Sequence, residues 1–531
     1  MRPEVSRKGG AMSARTSTFR VFMPVLLFIF LALPSVYLFC SVPPLWRDSD
    51  AFYQVATKFE FLTVLHWPPL YCFCARLPFL LATILDGSLF HSGFSFNWPR
   101  VTDLGVYLLL VFQHLFLIGA LLSVCVTLAK SWPVRFLIGA VFASCAPIYV
   151  FAHCLGSEAI MAPLLMLAGT AGLKYLCSPS PRWLVLLFSF IVLNILDRHA
   201  NGVIAGLVPL AILSLLGLAV VRPSLSPPSY SSISLRGFFV SVAVGVVAIL
   251  TANAIILGVC RLDKIPYRSR AGYAFVWRLD FIKDLPPERQ SAIINKAESD
   301  LQDPALTAAL EKLKEMSARG EFNPDDICEA LDKTLGEEGF QGQKRHVALD
   351  QKLNRFFTYF LGHDPADLIH VVAADVGAGM SFTPSLLTKD PFLCTDWLVK
   401  RVSESRFQPI HGLKTLSSYS EPTKQYDTSF YFHLWAFLPL FVIAGGVVVI
   451  GVIYILKAKN WRELVLGVYS LACIALGIVC AVVSFIVVAL LPRLMLPTLI
   501  LLLLAVVVLL LHLDPRAAGE TATGRMGETA K

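Results

Sequence analysis

Ten stretches of this chain run for a bilayer's width, or close to it, with almost no charge: 19–40, 103–129, 136–154, 158–176, 183–197, 200–221, 237–260, 431–456, 463–490 and 494–513. A helix that crosses hydrocarbon needs about 20 consecutive, mostly apolar residues, because its backbone must satisfy its own hydrogen bonds there. With 56% hydrophobic and 15% charged residues and a mean hydropathy of +0.66, a water-soluble chain is excluded. The expectation is an all-α polytopic membrane protein with about ten transmembrane helices. The net charge of +8 lies mostly in short loops beside apolar runs, so it reports orientation in the bilayer and gives no sign of nucleic-acid binding. Cys125, Cys145, Cys154, Cys473 and Cys480 fall inside the apolar runs and act there as small hydrophobes. No cysteine spacing suggests a zinc site or a disulfide framework.

The basic segment 1–18 and the run after it read as a cytoplasmic tail and a retained first span, since the run is longer than a signal-peptide core. Residues 70–85 are apolar but are interrupted by Arg76 and Pro78. If they do not cross, Arg20, Lys130, Arg135, Lys174, Arg182, Arg222, Lys457, Arg462 and Arg516 gather on one side. The short opposite loops then keep only Arg198 and Arg493. The positive-inside rule therefore makes 70–85 an interfacial or re-entrant helix and both termini cytoplasmic. The expected organisation is a membrane module at 19–260, with its first outer loop at 41–102, then an extracytoplasmic domain at 261–430. Further transmembrane helices follow at 431–513, and 514–531 forms a cytoplasmic tail. The outer domain is expected to be mostly α-helical. Asp303-Pro304, Asn323-Pro324, Asp364-Pro365 and Asp390-Pro391 each place a capping residue before a proline suited to the first helical turn. The lack of N-x-S/T sequons and of ER retention endings points to a bacterial inner membrane.

In this topology the unusual polar residues collect at the outer face. Asp48, Asp50 and Tyr53 open the first outer loop in WRDSDAFY, and His66 stands just before Pro68-Pro69. Glu158 begins the fourth span, Arg198 and His199 lie between the fifth and sixth, and Arg493 precedes the last. Ionisable groups near lipid are costly and usually face the protein interior or a water-filled cavity. Carboxylates could supply a base and arginines could hold an anion. Plainer readings exist for each: a helix cap for Asp48 or Asp50, a dipole-stabilised helix start for Glu158, and snorkelling to headgroups for the two arginines. His114 and His153 lie within spans and read as core residues.

The pattern resembles the GT-C superfamily of multispan glycosyltransferases, which includes protein O-mannosyltransferases and lipid A aminoarabinose transferases. The resemblance rests on Asp48-Ser49-Asp50-Ala51-Phe52-Tyr53, on His66-Trp67-Pro68-Pro69-Leu70-Tyr71 and its interfacial helix, and on Pro99-Arg100. Ala146-Pro147, Ser157-Glu158 and Pro492-Arg493-Leu494 with Pro497 complete it. It covers 19–260 and, more thinly, 463–513, but not 261–430. The resemblance implies a GT-C-type helical bundle with a polyprenyl-phosphate-linked sugar as donor. It also implies an extracytoplasmic acceptor (glycan, lipid or protein) and inverting displacement. Asp48 or Asp50 would be the base, with His66, Glu158, Arg198, His199, Arg493 and Tyr53 binding donor phosphate and substrate. No cofactor is identified from these residues, and a divalent cation stays an open alternative. The rival functions are a transporter or flippase of lipid-linked substrates and a non-catalytic binding protein of the same architecture.

Overall fold

The computed structural model describes residues 10–41, 44–46, 69–85, 103–225, 232–262, 271–363, 365–387, 438–487 and 492–514. The first part contains α1 (Gly10–Ser41), β1 (Leu45–Trp46), α2 (Pro69–Leu85), α3 (Asp103–Leu128), α4 (Trp132–Ala143), α5 (Ala146–Ala152) and β2 (Cys154–Leu155). It continues with α6 (Glu158–Cys177), α7 (Pro181–Asp197), α8 (Leu207–Val221) and α9 (Leu235–Leu262). The hydrophilic block holds α10 (Ala271–Val276), α11 (Pro287–Asp300), α12 (Pro304–Ala318), α13 (Pro324–Glu337), α14 (Gly342–His363), α15 (Pro365–Ser381) and α16 (Pro384–Leu387). The chain ends on α17 (Leu440–Lys457), α18 (Trp461–Val487) and α19 (Leu496–Leu510), with 3-10 turns at His199–Gly206, Trp277–Asp284 and Pro492–Met495.

The protein is therefore an all-α polytopic membrane protein. Among the described residues, eight helices are long and apolar enough to cross a bilayer, or nine if a bent pair counts as one span. Two of the ten expected spans take a different form. The run 136–154 is split into α4 and α5, which meet at an angle of 65°. Pro147 explains the break, because its ring crowds the preceding residue and lacks the N–H that would continue the ladder. The run 183–197 is α7, a helix of 17 residues that ends where Arg198 turns extended. The stretch 70–85 is also a helix of 17 residues, with Pro78 inside it.

Burial ranks the spans. Of the most apolar window in Pro492–Leu513, 89% is buried, against 22% in Leu235–Leu262. The last helix thus runs through the middle of the bundle while α9 faces outward. A helix apolar on every side suits a central position. Close approach helps hold it there: a Cβ on Gly169 of α6 would come within 2.2 Å of the Leu504 side chain. Tyr469 of α18 donates its hydroxyl to the Gly169 carbonyl at 2.6 Å, tying a third helix to the same spot.

One end of the bundle is fixed by polar contacts among the basic loops. Asp514 accepts from the backbone N–H groups of Lys130 and Ser131 at 2.6 and 3.3 Å, and Arg222 donates to the carbonyls of Ile455 and Leu456. The hydrophilic block covers the opposite end, called here the domain end. Its helices pack through Leu306, Leu310, Ile327, Leu331, Leu335, Phe356 and Phe360, all buried. Asp303 and Asn323 cap α12 and α13 as their sequence positions suggest, each accepting a backbone N–H. Helix α15 lies against α17 and α18, and Gly379 admits Met495 and Phe485. The short α16 touches α5 and the turn Pro492–Met495.

Candidate active site

The site is built on an elbow between α5 and α6. Residues 145–166 are buried without interruption, so every backbone polar group of the elbow needs a protein partner. Part of that need is met by β2, which pairs in parallel with β1 in the register Leu45 to Cys154 and Trp46 to Leu155. The strand that leaves the first span is thereby held beside the residues leading into Glu158.

At the start of α6 Glu158 is 1% exposed, and its Oε1 accepts from Arg198 Nη1 at 3.2 Å. The Arg198 side chain keeps 24% of its surface exposed. An isolated buried carboxylate would be costly, and the contact with Arg198 and the positive end of α6 offset that cost. The next residue, His199, opens the 3-10 turn, so the end of α7 delivers both residues to the elbow. Arg493 lies in the turn Pro492–Met495. Gly169 meets Leu504 about three helical turns beyond Glu158 and Arg493 respectively, which sets those two residues at a similar depth.

Of the expected site residues, the structure brings Glu158 and Arg198 into contact and puts His199 beside them, with Arg493 at the same end of the bundle. Asp48, Asp50, Tyr53 and His66 lie outside the described residues. Among the described residues no group of three or more His, Cys, Asp or Glu side chains could hold a metal ion.

Several polar groups were not legible as site residues in the sequence. Arg76 on α2 is 5% exposed and Asp197 at the end of α7 is 1% exposed, and α2 packs against α7. The signal for Arg76 was present. The residue that stops 70–85 from being a clean span is a buried cation at the domain end. His114 and His153, expected as core, are buried and share a hydrogen bond of 3.2 Å, with Ser35 on the other side of His114 at 2.8 Å. Phe39 packs on both rings.

Chemically, this end offers a sheltered carboxylate, an arginine with one face toward solvent, and further buried charge from Arg76 and Asp197. Of these four charged side chains Arg198 is the most exposed, so a cation is the charge this cluster presents outward. No family model matches the sequence, and no curated protein matches it significantly. Among solved structures, the chain is similar to the archaeal oligosaccharyltransferase AglB from Archaeoglobus fulgidus, determined in complex with an inhibitory peptide and a dolichol-phosphate. The identity is 11% and the TM-score 0.40, with 92% of this chain and 50% of that chain covered, so this chain spans about half the length of that protein. The fold and the site define a class: a polytopic helical membrane protein with a charged site at one end of its bundle.

Proposed function

We propose that this chain is an integral membrane glycosyltransferase of GT-C type. It moves a sugar from a polyprenyl-phosphate-linked donor to an acceptor at the extracytoplasmic face of a bacterial inner membrane. The observation that carries the reading is the convergence of two motif segments. Trp46, which precedes the acidic motif by two residues, is paired with Leu155, and the elbow beyond Leu155 presents Glu158 to Arg198. The described helices of the hydrophilic block, within 271–387, lie at the same end of the bundle.

In the proposed reaction an acceptor hydroxyl or amine attacks the anomeric carbon. The bond from that carbon to the phosphate oxygen breaks, and polyprenyl phosphate leaves with the bonding pair. Asp48 or Asp50 takes the acceptor proton; an aspartate with an ordinary pKa of ~3.9 is ready to do so at neutral pH. Arg198 and Arg493 bind the phosphate oxygens and stabilise the charge that develops on them. A guanidinium carries five donors, enough to hold Glu158 and a phosphate oxygen together. In this scheme Tyr53, His66 and His199 are assigned to binding the donor and the acceptor.

The test is turnover of detergent-purified protein with a polyprenyl-phospho-sugar, read as release of polyprenyl phosphate. Asp48→Asn or Asp50→Asn should lower it by about 10²–10⁴-fold, the usual contribution of a positioned base. If neither falls by at least about tenfold, the base lies elsewhere. Movement of an intact lipid-linked sugar across vesicles without transfer would instead establish a flippase.

A further inference from the structure

One network at the domain end has no part in the scheme above. Gln113 of α3 is fully buried, and its amide is used completely. Oε1 accepts from the Tyr71 hydroxyl at 3.0 Å, while Nε2 donates to the carbonyls of Ala152 and Cys154 at 2.9 and 3.0 Å. The Tyr71 oxygen in turn accepts from the Gly156 N–H at 2.8 Å. The proton directions are set by the groups themselves. A carbonyl can only accept and an amide nitrogen can only donate, so the tyrosine proton must point to Gln113 and its lone pair to Gly156.

Three backbone groups of the elbow, at Ala152, Cys154 and Gly156, are therefore fixed by two side chains from different helices. Gly156 is two residues before Glu158. The tyrosine end of the network is itself firmly seated. Tyr71, Ala75 and Phe79 repeat at helical spacing on α2 and pack on Val106, Leu109 and Leu110 of α3. The same cluster reaches Leu155, Ala159 and Ile160. Gly105 is needed for this docking, since a Cβ there would stand 2.0 Å from the Phe79 ring. The short helix α2 is thus coupled to the start of α6 by packing and by hydrogen bonds.

We infer that Tyr71 and Gln113 are positioning residues that set the elbow so that Glu158 meets Arg198 in the geometry the donor phosphate requires. The inference rests on the glycosyltransferase reading for what the pair binds, but not for how the elbow is held. Neither residue touches substrate; both act through the backbone at 152–156. Replacing Gln113 by leucine leaves two buried carbonyls and a hydroxyl without their partner. Replacing Tyr71 by phenylalanine keeps the ring in its pocket and removes the hydroxyl that bonds Gln113 and Gly156, so it is the gentler test.

The experiment combines two measurements on the full chain in detergent: polyprenyl phosphate binding together with turnover, and hydrogen exchange of the segment 152–158. Y71F should weaken binding or turnover by about tenfold, and E158Q by a similar factor. The double variant Y71F/E158Q should be no worse than the poorer single one, because both changes break the same link. A residue that only supports the fold would instead give additive losses. Exchange in 152–158 should rise in Y71F and in Q113L, with the segment around Leu331 in the hydrophilic block unchanged. Additive losses, or unaltered exchange in both variants, overturn the inference. Should the wild-type chain neither bind polyprenyl phosphate nor turn over, the glycosyltransferase reading fails, and the exchange result alone decides whether the network holds the elbow.

Discussion

Two buried ion pairs sit at the domain end, and they are built in opposite senses. In the bundle, the carboxylate of Glu158 is sealed at 1% exposure and Arg198 keeps 24% of its side chain in reach of solvent. In the hydrophilic block the arginine is sealed. Arg278 is 0% exposed, with Asp375 Oδ2 at 2.6 Å and Asp280 Oδ1 at 3.8 Å, and these carboxylates are 20% and 19% exposed. The first arrangement turns a cation outward, as the proposed phosphate site requires. The second neutralises its cation twice and turns acid outward, which repels a phosphate and leaves the pair the work of joining the turn Trp277–Asp284 to α15. Burial of charge alone does not mark a site. Which partner faces solvent is the informative part.

The largest effect should come from breaking the sealed cation. Arg278→Met leaves Asp280 and Asp375 without their shared partner, and loss of one member of a buried pair costs on the order of 3 kcal/mol. The thermal midpoint of the detergent-solubilised protein should fall by several degrees. A midpoint within about a degree of the wild type would mean that the pair does not hold the joint. Breaking the other pair should act on the ligand as well as on the fold. Arg198→Ala should weaken polyprenyl phosphate binding by about 10–100-fold, about 1.4–2.8 kcal/mol, and should also lower the thermal midpoint, because the sealed Glu158 carboxylate loses Arg198. Arg278→Met should leave the binding unchanged; an equal loss of binding in both variants would erase the distinction between the two pairs.

A third expectation concerns pH. Burial pushes Asp280 up from 3.8 to about 6, although Arg278 and Lys283 pull the other way. The folded chain then holds this proton to a higher pH than the unfolded chain does. The stability it confers is therefore greatest below 3.8 and is lost as the pH rises through about 6. Going from pH 7 to pH 5 should raise the thermal midpoint, and Asp280→Asn should remove most of that gain. Asp303 behaves in the opposite sense. Burial raises it, but hydrogen bonds from Lys352 and the Leu306 N–H outweigh this and lower it below 3.8, so its contribution is lost only in stronger acid. The smallest effect belongs to a cap remote from either pair. Asn323→Ala should cost about 1 kcal/mol through loss of the bond from the Asp325 N–H, without changing ligand binding.

Much of the bundle was legible because hydrophobic length is a property of contiguous residues. The bend between α4 and α5 was less so: Pro147 sits in an apolar run whose hydropathy hides the break. Glu158 and Arg198 could be picked out because charge at the end of a span is rare. Arg278 could not, since an arginine in a hydrophilic block looks the same in sequence whether it is solvated or sealed. The link from Tyr71 through Gln113 to Gly156 was invisible for another reason. Its members are far apart in sequence, and a tyrosine and a glutamine in apolar helices announce no partner. The acidic motif itself lies outside the described residues, so the choice between Asp48 and Asp50 belongs to the turnover experiment.

The central position of α19 bears on how the protein is made. The helix that fills the middle of the bundle is synthesised after the other described helices, so earlier ones such as α6 wait in lipid until Leu504 can meet Gly169. It is the most apolar of the described spans, which lets it enter the bilayer as an independent helix before it finds its neighbours. Assembly therefore closes from the outside inward. Until Pro492–Asp514 has been made, the Gly169 contact and the Asp514 latch on the 130–131 turn are both unmade.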